Sequence, residues 1–226
     1  MRVKICGITR PTDVDAAARA GADAVGLNFV SGPRQIDPER AEAILARVPA
    51  FVTPVALVTL QDAGDIPGDL FELLGRHWVS YVQLYGHVDA ESIIRTVRDG
   101  FKPLIVGHVS ERGFAEPIAA LLDACGEHRP VGIVLDAFDA SRLGGTGQPF
   151  HWPWLVEARE AGELDGWPPI LLAGGLGPDN VAEAVTQTQP WGIDVASGVE
   201  SAPGHKDFDK MSRLIKAARA AATNCE

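Results

Sequence analysis

Cysteine is scarce in this sequence: Cys6, Cys125 and Cys225 are the only three. Their odd number and unrelated spacings argue against a disulfide framework and suit a reducing compartment. None stands with a second cysteine and a histidine at the spacing of a zinc site. Basic residues are also in deficit, 20 Lys and Arg against 30 Asp and Glu, for a net charge of −10. Bulk electrostatics therefore disfavour nucleic acid and anionic membrane as partners, and an anionic ligand needs local donors. No apolar run approaches the length of a membrane span, and no apolar leader segment precedes the first strand, so the expected location is cytoplasmic. Low-complexity tracts and Pro/Ser-rich hinges are missing too. Residues 1–226 are accordingly expected to form one domain.

What the chain does have is one repeated pattern. Eight short, nearly continuous apolar stretches read as strands buried on both faces: Val3–Cys6, Ala24–Phe29, Thr53–Leu60, Tyr81–Leu84, Pro103–Gly107, Gly132–Leu135, Ile170–Ala173 and Gly192–Val195. Amphipathic stretches with helix signals lie between them. Thr12-Asp13 opens the first helix and Gly21 closes it. Asp37-Pro38 opens the second, with proline at the first helical position. Asp89, Pro178-Asp179-Asn180 and Asp207 open later ones. Strand–helix alternation repeated eight times implies parallel strands with helical crossovers, and the (β/α)₈ barrel is its natural closure. An open doubly wound sheet is the competing architecture, but no G-x-G-x-x-G follows the first strand. A weak internal echo between residues 21–26 and 191–198 fits repeated units.

In a barrel the active site lies at the C-terminal ends of the strands. Cys6-Gly7 stands there after strand one, Arg34 after strand two and Tyr85-Gly86 after strand four. Asp136, with Gly144-Gly145-Thr146-Gly147 beyond it, follows strand six. Gly174-Gly175 follows strand seven, and Asp194 with Ser197-Gly198-Val199-Glu200 ends strand eight. Each has a plainer reading. Cys6 alone is more often a packed small residue, Asp136 a helix cap, and a Gly-Gly pair a tight turn. Together they suggest more. Paired glycine turns after strands seven and eight point to phosphate at Gly174, Gly175, Ser197 and Gly198. Cys6 and Asp136 can form a base and acid pair, provided the thiol's pKa is depressed and the carboxyl is desolvated enough to stay protonated. Arg34, stiffened by Pro33, offers a planar fork to a carboxylate. The long loop 136–150 has the length of an active-site lid. The six histidines are scattered and read as surface or structural residues, with no metal motif.

Val3-Lys4-Ile5-Cys6-Gly7-Ile8-Thr9, Leu135-Asp136, Gly144-Gly145-Thr146-Gly147, Gly174-Gly175-Leu176 and Asp194-Val195-Ala196-Ser197-Gly198-Val199-Glu200 together resemble the phosphoribosylanthranilate isomerase family of tryptophan biosynthesis. The match is collinear over essentially the whole chain, and Pro203-Gly204-His205-Lys206-Asp207 also fits. The resemblance implies a (β/α)₈ barrel and an Amadori rearrangement of a small phosphorylated substrate, with no metal or organic cofactor. It implies Cys6 as general base, Asp136 as general acid, Arg34 on the anthranilate carboxylate, and Asp194, Gly145, Thr146 and Gly147 as substrate-binding residues. A monomer is expected, with a homodimer as the alternative. The chain departs from the family in its third strand, in Tyr85 where histidine is frequent, and in a shortened segment before Arg34. These departures are expected to touch the rim near the anthranilate end. Two alternatives stand beside this reading: a related sugar-phosphate isomerase, which would carry aspartate rather than Cys6, and a non-catalytic phosphate-binding barrel, which would lack Cys6 or Asp136.

Overall fold

Strands that are apolar on both faces need cover on both, and this chain supplies it by closing its sheet. In a computed structural model, which describes residues 1–61, 65–137 and 151–223, eight parallel strands form the barrel. They are β1 (Arg2–Ile5), β2 (Ala24–Asn28), β3 (Thr53–Thr59), β4 (Tyr81–Tyr85), β5 (Lys102–Val109), β6 (Gly132–Ala137), β7 (Ile170–Leu172) and β8 (Gly192–Val195). Each pairs with the next. β8 returns to β1 in the register Arg2↔Gly192 to Ile5↔Val195, which leaves no free edge. All eight expected strands are found within a residue or two of their expected bounds.

The outer ring is α1 (Pro11–Ala20), α2 (Pro38–Leu45), α3 (Gly68–Arg76), α4 (Ala90–Arg98), α5 (Ala115–Ala124), α6 (Pro153–Glu160), α7 (Val181–Thr188) and α8 (Phe208–Thr223). A small antiparallel hairpin, β9 (Glu200–Ala202) and β10 (His205–Lys206), precedes α8. Local chemistry sets several boundaries. The Asp37 carboxylate accepts the Arg40 amide at 2.7 Å, and Asp89 and Ser92 cap each other at the start of α4. Gly21 ends α1 at φ 97°, a conformation that favours glycine. Two expected caps differ. α1 begins at Pro11, and the Asp13 carboxylate is drawn instead to the Arg10 guanidinium at 2.7 Å. Asn180 precedes α7, but its side chain is spent bracing the loop before it.

Strand alternation sorts side chains into two layers. Val3, Ile5, Val25, Leu27, Ile133, Leu135 and Ile193 point outward into the main core beneath the helices. Val55, Leu104, Val134, Leu171 and Ala173 form a smaller cluster that fills the barrel interior. Leu135 is completely buried, and truncating such a leucine to alanine typically costs about 2–5 kcal/mol. The parity matters for function: Cys6 follows Lys4, Asp136 follows Val134, and Asp194 follows Gly192, so all three face inward. Among the described residues, no helix is long and apolar enough to cross a membrane.

Candidate active site

The inward parity ends in a cavity of about 550 Å³ at the C-terminal face of the barrel. Cys6, Arg34, Asp136, Gly174, Gly175, Asp194 and Ser197 all line it, together with Asn28, Tyr85 and His108. Residues spread over nearly two hundred positions are thus brought to one mouth. His108, read from sequence as a surface or structural residue, lies at that mouth. Gly145, Thr146 and Gly147, with the rest of the expected lid, lie outside the described residues.

Cys6 leaves β1 with its amide bonded to the Val195 carbonyl at 2.8 Å, and it is 8% exposed. Its thiol occupies space that Gly26 leaves vacant, for a Cβ on Gly26 would lie 2.8 Å from Sγ. The expected depressed pKa is not what this environment gives. Burial pushes the thiol above its usual 9.0, Asp194 adds to the rise, and the nearby Lys4 and Lys206 only partly offset it. Lys4 gives the larger relief of the two, but burial outweighs it.

Asp136 meets the expectation of a desolvated acid. Burial first, then the charge of Asp194, raise its pKa to about 6. Its Oδ1 is buried with no hydrogen-bond partner among the described residues. Gly174, at φ 81°, folds the β7 loop directly over this carboxyl. A Cβ there would lie 2.8 Å from Oδ1 and 2.6 Å from the Ala137 nitrogen, so only glycine fits.

The glycine loops behave as two distinct parts. Gly174 and Gly175 are consecutive positive-φ residues, and the amides of Gly174, Gly175 and Leu176 have no acceptor among the described residues. Asn180 holds this loop by accepting the Gly177 amide at 2.8 Å and donating to the Gly175 carbonyl at 2.9 Å. Ser197 lines this cavity, and Gly198 lines an adjoining one of about 470 Å³ that shares Gly175, Leu176 and Ser197 with it. Gly198 packs its α-carbon against the Leu176–Gly177 backbone, where any side chain would collide. The missing side chain lets the two loops touch.

Sequence reasoning missed the polar groups beneath and behind these residues. Lys4, 2% exposed, gives two hydrogen bonds to the Asp194 carboxylate at 2.9 and 3.0 Å and one to Gln83 Oε1 at 3.0 Å. Burial by itself lowers an ammonium's pKa, but Asp194 and Cys6 outweigh it and the net shift is upward. Asp194 is therefore held from below by an internal cation. Arg34 is likewise engaged. Its Nε and Nη2 form a fork on Glu200, each at 2.7 Å, leaving Nη1 without a hydrogen bond among the described residues. Lys206, fully buried, adds a third bond to Glu200 at 2.7 Å. Although burial raises a carboxyl's pKa, these two cations hold Glu200 below its usual value. The available signal was Lys4 itself, a charge inside a strand otherwise buried on both faces.

Comparison with known proteins agrees with this geometry. The family profile described as N-(5'phosphoribosyl)anthranilate (PRA) isomerase matches residues 3–217. The N-(5'-phosphoribosyl)anthranilate isomerase of Trichlorobacter lovleyi is 38% identical over 98% of this chain and 99% of its own length. That of Acidithiobacillus ferrooxidans is 40% identical over 97% of this chain and 98% of its own. The crystal structure of the phosphoribosyl anthranilate isomerase from Thermotoga maritima superposes with a TM-score of 0.82 at 31% identity, covering 97% of this chain and 99% of that one. Another, solved with reduced 1-(o-carboxyphenylamino)-1-deoxyribulose 5-phosphate, gives a TM-score of 0.78 at 30% identity over 97% and 99% of the two chains. This chain is thus an enzyme that belongs to the N-(5'-phosphoribosyl)anthranilate isomerase family.

Proposed function

We propose that Cys6 and Asp136 carry out the Amadori rearrangement of N-(5'-phosphoribosyl)anthranilate to 1-(2-carboxyphenylamino)-1-deoxyribulose 5-phosphate in this cavity. The observation that carries the reading is their placement: a buried thiol on β1 and a raised carboxyl on β6 open into one cavity, beside a loop whose amides have no acceptor among the described residues.

Asp136, protonated, gives its proton to the furanose ring oxygen as the C1–O bond breaks, and the anthranilate nitrogen lone pair forms the C1=N bond. Cys6, as thiolate, takes the C2 proton, and the C2–H electrons form C1=C2 while the iminium electrons return to nitrogen. The resulting enaminol tautomerises to the C2 ketone. Passage of one proton from Cys6 back to Asp136 through solvent restores both groups. The amides of Gly174, Gly175 and Leu176, with Ser197, hold the phosphate, and Gly198 keeps their two loops in contact. Arg34 meets the anthranilate carboxylate through Nη1, its other edge being held by Glu200. Asp194 acts at the cavity floor, fixed by Lys4.

The test is steady-state turnover of phosphoribosylanthranilate by Cys6→Ser and Asp136→Asn, with circular dichroism as the folding control. Each is expected to lose about 10²–10⁴-fold in kcat with the fold intact. Wild-type turnover by Cys6→Ser would make the thiol a packing residue. Wild-type turnover by Asp136→Asn would move the acid role elsewhere.

A further inference from the structure

The cavity floor holds a chain of hydrogen bonds whose direction is dictated by its chemistry. It starts at the Lys4 ammonium, which is locked onto Asp194 and can only donate. Gln83 must therefore turn its amide oxygen toward Lys4, which places its NH₂ group on the opposite side. That nitrogen also only donates, and it lies 3.2 Å from Tyr85 Oη. The phenol oxygen is thus the acceptor, and its own proton is left over. Tyr85 makes no other hydrogen bond among the described residues.

The leftover proton is well placed. Tyr85 is the last residue of β4 and shares the inward parity of Gln83, so it faces the barrel axis rather than the outer rim. Burial, followed by the charges of Cys6, Asp194 and Asp136, raises its pKa, so the phenol stays protonated. Tyr85 on β4 thus lines the same cavity as Cys6 on β1, Asp194 on β8 and Asp136 on β6.

We propose that Tyr85 is a further catalytic residue, donating a hydrogen bond from Oη to the substrate's C2 oxygen, the atom that becomes the product ketone. The proposal rests on the reading of the cavity given above. C2 must lie at Cys6 for its proton to be taken, and the proposal assigns its oxygen to the side of the shared cavity that Tyr85 lines. As the enaminol hydroxyl gives up its proton, charge collects on that oxygen, and a fixed donor stabilises it. The Tyr85 O–H bond stays intact throughout. Lys4 and Gln83 act as positioning residues, for they orient the donor.

The experiment is Tyr85→Phe, which keeps the ring and removes the donor. kcat should fall about 10²-fold with KM held within about threefold, the signature of an interaction made mainly in the transition state. With product carrying ¹³C at C2, the carbonyl stretch should shift to lower frequency on binding wild type and shift less on binding the variant. Equal kcat, or equal carbonyl shifts, overturns the proposal. The chain has only two tyrosines, and Tyr81 packs in the lower interior layer. Fluorotyrosine labelling of the wild-type protein therefore supplies a second measurement that needs no variant to fold. The ¹⁹F signal of Tyr85 should move on adding product while that of Tyr81 stays, and a static Tyr85 signal overturns the proposal. If wild type itself fails to turn over phosphoribosylanthranilate, the reading of the cavity falls. If wild type turns over and Tyr85→Phe matches it, only the role of Tyr85 falls.

Discussion

The protonation states of Cys6 and Asp136 make a sharp prediction about pH. The proposed reaction begins with Asp136 protonated and Cys6 ionised. The structure favours the reverse, since burial pushes the Asp136 carboxyl up only to about 6 and pushes the thiol above its already higher usual value. Between these two values most molecules carry a carboxylate and a thiol. The productive arrangement is a minor tautomer of the same net charge, so its share does not change with pH there. Both environments favour the proton on Cys6 over Asp136, so that share is small. Below about pH 6 the share falls tenfold per pH unit, because the thiol must ionise from a molecule already carrying both protons. Above the thiol's pKa it falls again, because Asp136 must be protonated against the solution.

kcat/KM for wild type should therefore be flat from about pH 7 upward until the raised thiol ionises, with an acid limb breaking near 6. Asp136→Asn removes one requirement, so its residual activity should rise continuously over the same range as Cys6 ionises. The assay is initial rate at low substrate from pH 5 to 10, corrected for spontaneous loss of substrate. An acid limb breaking below pH 5 would show that Asp136 is not raised. A flat profile in Asp136→Asn would show that it is not the partner whose proton is counted.

Further outcomes follow from the same contacts. Asp136→Asn should be more stable than wild type at pH 8, by up to about 3 kcal/mol. The sign comes from the raised folded pKa: wild-type stability is fully present below the unfolded value of 3.8 and is lost as pH rises through about 6. Thermal unfolding at pH 4 and pH 8 should show the gap closing in acid, and an equal gap at both would refute it. Lys4→Met should cost about 3–5 kcal/mol by leaving the Asp194 carboxylate buried without its cation, and Asp194→Leu in the same chain should recover part of the loss. Denaturant unfolding of the single and double variants checks this. Gly174→Ala should lower kcat about 10²-fold, because the added methyl displaces Asp136 Oδ1 at a position with φ 81°. A folded Gly174→Ala protein with wild-type kcat would mean that the loop moves freely away from Asp136.

The sequence by itself determined the layout of the barrel. Eight apolar stretches buried on both faces, separated by helix signals such as Asp37-Pro38 and Asp89, are local facts, and local backbone chemistry reads them out. The ends of those strands placed Cys6, Asp136, Asp194 and the glycine turns on one face before any contact was known. Tertiary structure decided the partnerships. Lys4 meets Gln83 and Asp194 only because the sheet closes, and Arg34 meets Glu200 across 166 positions of chain. Neither pairing leaves a periodic trace, so Arg34 read as a fork open to a substrate carboxylate. Desolvation is equally invisible in sequence, since it depends on how many neighbours exclude water from a group. That is why the depressed pKa that a Cys6 base requires could be asked for but not read from sequence, while the closed barrel, by burying the thiol, raises it.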